Sequence, residues 1–165
     1  MFVPFSQLPS HARIWIYQAN RDLQAAETGA IEQKAQEFAK QWSAHKVQLQ
    51  ASASVFYNSF LILGIDEHTA GASGCSIDSS VNFIRELEKE FTVQFLDRTQ
   101  LAFYQEDNVI RVPLQDIKNK VANGEITAGT LFFNNLVQSK SDLEKAWLLP
   151  ASNTWLAKYF ASTII

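Results

Sequence analysis

The chain has 165 residues, of which 47% are hydrophobic and 19% charged, and a net charge of −3. That length suits one domain, residues 1–165, with a sizeable core. The acidic balance and the lack of any basic run exclude a general nucleic-acid binder. No apolar stretch approaches the roughly 18 residues that a membrane-spanning helix needs, so no membrane insertion is expected.

The opening segment, MFVPFSQLPSHAR, has no basic stretch followed by an apolar run, and it does not read as a signal peptide. Pro4 and Pro9 make Met1 to Ser10 an irregular lead-in, with Phe2, Val3, Phe5 and Leu8 packing on the body. Arg13 to Ala19, RIWIYQA, is rich in β-branched and aromatic residues and predicts a strand. Asn20 can cap the helix expected over Asp22 to Trp42, whose apolar stripe is Ile31, Ala35, Phe38 and Trp42. Gly29 weakens the middle of that helix by about 1 kcal/mol relative to alanine, which favours a late start or a kink.

Leu49 to Tyr57 alternates between apolar and small polar residues and predicts a half-buried strand. Asn58-Ser59 turns it into Phe60 to Ile65, a run without a polar side chain that predicts a fully buried strand. A loop of small residues follows, then a helix with Ile77, Val81, Ile84, Leu87 and Phe91 on one face. Ser76 is its expected N-cap and Asp78 its first-turn acid. Glu86, Glu88 and Glu90 read as a solvated face.

Leu101 to Gln105 and Val109 to Leu114 flank Glu106-Asp107-Asn108 and predict a second hairpin. A short helix over Leu114 to Ala122 should end near Gly124. Phe132-Phe133 leads into the turn pair Asn134-Asn135. Ser141, with Glu144 three residues on, predicts a capping box for a helix through about Trp147. Pro150 then breaks the chain before a short helix carrying Trp155, Leu156, Tyr159 and Phe160.

Strand, helix, hairpin, helix, hairpin and terminal helices describe an α+β fold. The expected sheet is mainly antiparallel with helices on one face. The first six elements follow the ferredoxin-like split β-α-β order, with a helical C-terminal extension. No Gly- or Pro-rich linker divides the chain.

The loop ahead of the central helix is the first candidate site. Glycines and unpaired first-turn amides can together bind a small anion or a carboxylate group. The candidate binding residues are Gly71, Ser73, Gly74, Cys75, Ser76, Asp78 and Ser79. The plainer reading is a strand-to-helix connector, and the Asp78 charge would repel a phosphate. Cys75 is also a candidate nucleophile, because a helix N-terminus favours the thiolate. His68 or Asp66 would then serve as base or orienting group, with Asp78 a further catalytic candidate. A buried structural cysteine is the commoner outcome. His11, His45 and His68 are far apart in sequence, and Asp66, Glu67 and His68 cannot all converge from one strand. No metal site and no cofactor is therefore expected.

The stretches HARIWIYQA, SGCSIDSSVNFI, FNNLV and the late WL resemble a family of short bacterial proteins that carry the label ABC-transporter ATPase. The resemblance covers almost the whole chain and implies a bacterial source. It carries over no catalytic residue, ligand or cofactor. The residues oppose the ATPase label, since a Walker A loop requires a Gly-Lys pair and no glycine here precedes a lysine.

One cysteine cannot form an internal disulfide, which together with the leaderless start predicts a cytoplasmic protein. The leading functional expectation is a non-enzymatic binding or interaction protein. The alternative is a small enzyme using the Gly71–Ser79 loop. The aromatic residues Trp147, Trp155, Tyr159 and Phe160 either pack the tail onto the sheet or form a homodimer contact or partner groove.

Overall fold

A computed structural model describes residues 1–68 and 70–161. In chain order the elements are β1 (Arg13–Gln18), α1 (Ala25–Gln41), β2 (Ser43–Ala44), β3 (Val47–Gln48), β4 (Gln50–Phe56), β5 (Phe60–Asp66) and α2 (Gly74–Phe91). They continue with β6 (Gln100–Gln105), β7 (Asn108–Pro113), α3 (Ile117–Ala122), β8 (Leu131–Phe133), α4 (Lys140–Ala146) and β9 (Leu148–Pro150). The α+β class holds. Although the sequence offers no linker, the chain divides into two compact units. One is residues 1–96 with 138–141, and the other is residues 97–137 with 142 onward.

The first unit is built on an antiparallel sheet of order β1-β5-β4. β5 lies between β1 and β4, which makes those two parallel and gives the expected split β-α-β arrangement. The fourth strand of a ferredoxin-like sheet does not follow. β6 belongs to a different sheet, and among the described residues β1 has beside it, on the side away from β5, only a short strip, with an antiparallel bridge from Arg13 to Ser139. Gln138 accepts from the Ile14 amide at 3.0 Å, and Lys140 donates its amide to Ala12 at 2.9 Å.

Alternation sorts the two sheet faces. Ala51, Ala53, Leu61, Leu63 and Ile65 join Ile31, Ala35, Ala39, Ile84 and Leu87 in one buried cluster, so α1 and α2 cover this face. Phe60, Ile62 and Gly64 point the other way and are buried too, as the all-apolar run requires. Leu8 packs on that second face. A methyl built on Gly64 would meet Leu8 Cδ1 at 2.7 Å.

The exposed edge of β4 is covered twice, which blunts a template for unwanted pairing. The amide of Val3 donates to Ala51 at 2.8 Å. One Glu32 carboxylate oxygen accepts from the Val55 amide at 2.8 Å and from the Ser54 hydroxyl at 3.2 Å.

Three hairpins turn through pairs of non-glycine residues with positive φ: His45-Lys46, Tyr57-Asn58 and Glu106-Asp107. Such pairs match the right-handed twist of the flanking strands. The β2–β3 ribbon was not foreseen, because neither of its two-residue strands shows a periodic pattern. In the second hairpin the turn is Glu106-Asp107 alone, with Asn108 already paired to Gln105.

The second unit holds an antiparallel sheet of order β7-β6-β8-β9. Its core joins Leu101, Phe103, Val112, Ile117, Ile126, Phe132, Ala151 and Leu156. α3 ends as expected, with Gly124 at φ 82°. The expected helical extension is instead mixed. It supplies strands β8 and β9 and short 3-10 turns, because Pro150 sits at the end of a strand and starts a turn of only three residues. Ser141 is not the cap of α4, since the helix already includes Lys140. The aromatic tail packs within this unit. Trp147 lies against Phe133 at 5.0 Å, Trp155 meets Phe132 edge-on at 5.8 Å, and Tyr159 and Phe160 rest on the core.

Candidate functional site

The expected loop does not begin its helix where the sequence suggested. α2 starts at Gly74, and Ser73, not Ser76, is the N-cap. Ser73 Oγ accepts from the Ser76 amide at 3.1 Å, and Ser76 Oγ accepts from the Ser73 amide at 2.7 Å. This reciprocal pair is a capping box with serine in place of glutamate. The earlier start moves Asp78 out of the first turn, which holds no acid. Small residues at 74 and 75 enter the helix readily once Ser73 caps it. Neither Gly71 nor Gly74 has a positive φ, and a methyl on either would meet nothing closer than 3.9 Å.

Of the first-turn amides, that of Ser76 is taken by the cap. Those of Gly74 and Cys75 make no hydrogen bond among the described residues. Cys75 is exposed, not buried as a structural cysteine would be, and its thiol makes no hydrogen bond there either. Asp78 and Ser79 are exposed. His68 is engaged elsewhere. Its amide donates to Asp66 Oδ1 at 2.9 Å, and its ring lies 6.5 Å from that of His11. His11 Nε2 is 3.3 Å from the same Asp66 oxygen. Distance in sequence had hidden this meeting of two histidines, which the antiparallel pairing of β1 with β5 brings about. Among the described residues no group of three or more His, Cys, Asp or Glu side chains has metal-binding geometry. Thr69 lies outside the described residues.

A concavity also lies between α1 and α2, lined by residues of both helices. It is an open groove of about 580 Å³, within the usual range for ligand sites. Ala30, Phe38, Phe83 and Leu87 supply its apolar lining, and Lys34, Glu37, Glu86 and Glu90 its charges. The rings of Phe38 and Phe83 stack at 4.6 Å with 7° between their planes. Both remain half-buried. Phe38 also packs against Trp42 at 5.2 Å. Lys34 reaches Glu90 on the opposite helix at 3.2 Å, and Lys40 holds Glu37 at 2.8 Å. Glu86 makes no ion pair among the described residues.

The groove walls are pinned at both ends. Arg21, just ahead of α1, grips Glu27 through two hydrogen bonds of 2.9 and 2.8 Å and donates to the Phe91 carbonyl at the end of α2 at 2.8 Å. At the far end, the Trp42 indole donates to the Ser76 carbonyl at 2.9 Å in a buried bond. The two helices are therefore antiparallel, with their spacing fixed before anything binds.

The sequence stripe assigned Phe38 to the core, on which it does pack while partly exposed, and left Phe83 without a role. The available signal was Phe83 itself, an apolar residue between the core stripe and the charged face of α2, in row with Glu86 and Glu90 at steps of three and four. Glu88 is not merely solvated, since its carboxylate accepts from the amides of Phe95 and Leu96 at 2.7 and 3.1 Å. Among the described residues no helix is long and apolar enough to cross a membrane.

Comparison with known proteins adds no identity: no family model matches the sequence, and no curated protein or solved structure is significantly similar to it.

Proposed function

We propose that this chain is a non-enzymatic binding protein of the bacterial cytoplasm, and that its binding surface is the α1–α2 groove. The observation that carries the reading is the stacked pair Phe38–Phe83, resting on the core and only partly buried, in a groove whose walls are pinned at both ends. Aromatic side chains concentrate binding energy because they offer large apolar area at little entropic cost. A fixed wall spacing lowers the ordering cost of association. Antiparallel helices with an apolar furrow between them suit the helix-in-groove mode of recognition. The bacterial placement rests on the family resemblance, and the cytoplasmic one on the single exposed thiol, which suits a reducing compartment.

The reading is tested by two-dimensional NMR with indole and phenol as neutral aromatic probes. The expected result is amide shift changes gathered at residues 34–41 of α1 and 83–90 of α2. Changes confined to other parts of the chain would contradict it.

A further inference from the structure

We infer that the groove accepts a basic amphipathic segment of another protein, one that presents an apolar anchor between lysines or arginines. This rests on the preceding reading of the groove as the binding surface and adds the chemistry of the occupant.

The floor offers the Phe38 and Phe83 rings to an aliphatic or aromatic side chain. The rim carries three carboxylates, Glu37, Glu86 and Glu90, against two lysines, Lys34 in the lining and Lys40 bonded to Glu37, an excess of one carboxylate. Two of those carboxylates hold lysines already, Glu90 with Lys34 and Glu37 with Lys40. Both pairs are about half exposed, and exposed pairs of this kind contribute little, so an incoming cation exchanges for them readily. Glu86 makes no ion pair among the described residues. It stands three residues from Phe83, on the same side of α2. A lysine or arginine beside the anchor would meet Glu86 directly. Its aliphatic stem would lie along the phenyl rings, and their faces attract cations.

The same charges argue against the other occupants. A second copy of this chain would bring the same excess of carboxylates against itself, and like charges facing each other across an interface disfavour association. A nucleic acid or an anionic membrane surface would meet the same repulsion.

The test uses the full chain and two synthetic peptides of about 18 residues, roughly 27 Å long as a helix and so matched to the groove walls. Both carry leucine and phenylalanine at helical spacing. One has lysines on its flanks, and the other has glutamates at the same positions. Fluorescence anisotropy should show the lysine peptide binding at least about tenfold more tightly than the glutamate peptide. That preference should shrink with added salt and in Glu86→Lys. Phe83→Ala should abolish binding, with circular dichroism confirming that the variant is folded. Equal binding of both peptides, still lost in Phe83→Ala, would keep the groove as the site and overturn the basic partner. Binding of neither peptide would overturn both. A dimer seen by sedimentation and lost in Phe83→Ala would make a second copy the occupant and likewise overturn the inference.

Discussion

Arg21 and Glu27 form a two-pronged hydrogen-bonded pair, and the pair joins the start of α1 to the end of α2. The guanidinium donates to both Glu27 carboxylate oxygens, at 2.9 and 2.8 Å, and also to the carbonyl of Phe91. Glu27 in turn accepts from the Gln24 amide at 2.9 Å, closing the capping box of α1. The hydrogen bond from Arg21, followed by that from Gln24, holds the Glu27 carboxyl at about 2, below its ordinary 4.5.

The sign of the pH dependence follows. The folded state prefers the ionised carboxylate, so the contribution is complete above the unfolded value near 4.5 and is lost as pH falls toward 2. Glu27→Gln is expected to flatten the acid limb of the melting-temperature profile between those values. Parallel profiles for the two proteins across that range would contradict it.

Lys140 is buried, and its ammonium donates to the carbonyls of Leu8 at 2.7 Å and Ser6 at 3.1 Å. Lys140→Met keeps the stem but leaves these carbonyls unsatisfied. A loss of about 1–3 kcal/mol in urea denaturation is expected. An unchanged midpoint would show that water replaces the ammonium freely.

Ser73 caps α2, and Asp78 stands beyond the first turn. Ser73→Ala should cost about 1 kcal/mol, while Asp78→Ala should stay within about 0.5 kcal/mol. Chemical denaturation of the two variants reads this directly, and the reverse order would restore the helix start expected from sequence.

Leu8 sits over Gly64, where an added methyl would come within 2.7 Å of its Cδ1. Gly64→Ala should destabilise by about 1–3 kcal/mol through overpacking. Combining it with Leu8→Ala should cost less than the sum of the two, by at least about 0.5 kcal/mol. Simple additivity in a double-mutant cycle would contradict the packing described.

The strands and the central helix were legible because their patterns are long. Phe60 to Ile65 has no polar residue, and the apolar stripe of α2 repeats over four turns, although only Ile84 and Leu87 of it are buried, Phe91 rests on the core, and Ser76 and Ser80 take the buried positions of the first turns. The second hairpin showed in its two β-rich runs, although its turn proved one residue shorter. Positive-φ pairs such as His45-Lys46 escaped, since neither residue is a turn former and the strands they join span two residues each. The departure of β6 to another sheet escaped as well. Strand pairing depends on contacts distant in sequence, and the order of elements suits both outcomes. At the candidate loop, serine at 73 and serine at 76 compete for the cap, and only the reciprocal geometry selects the first. The groove was half visible. Phe38 and Phe83 were both in view, but their stacking follows from the antiparallel pinning by Arg21 and Trp42, which joins residues 34 and 70 positions apart.

The central claim is that the Phe38–Phe83 groove is the binding surface, and its most direct test is the position of a bound segment. Intermolecular nuclear Overhauser effects should be recorded for the full chain with the lysine-flanked peptide. The account predicts contacts from the peptide's apolar anchors to the Phe38 and Phe83 rings, with the peptide lying along α1 and α2. Contacts instead to the partly exposed Trp155 of the second unit, with none to either phenylalanine, would contradict it.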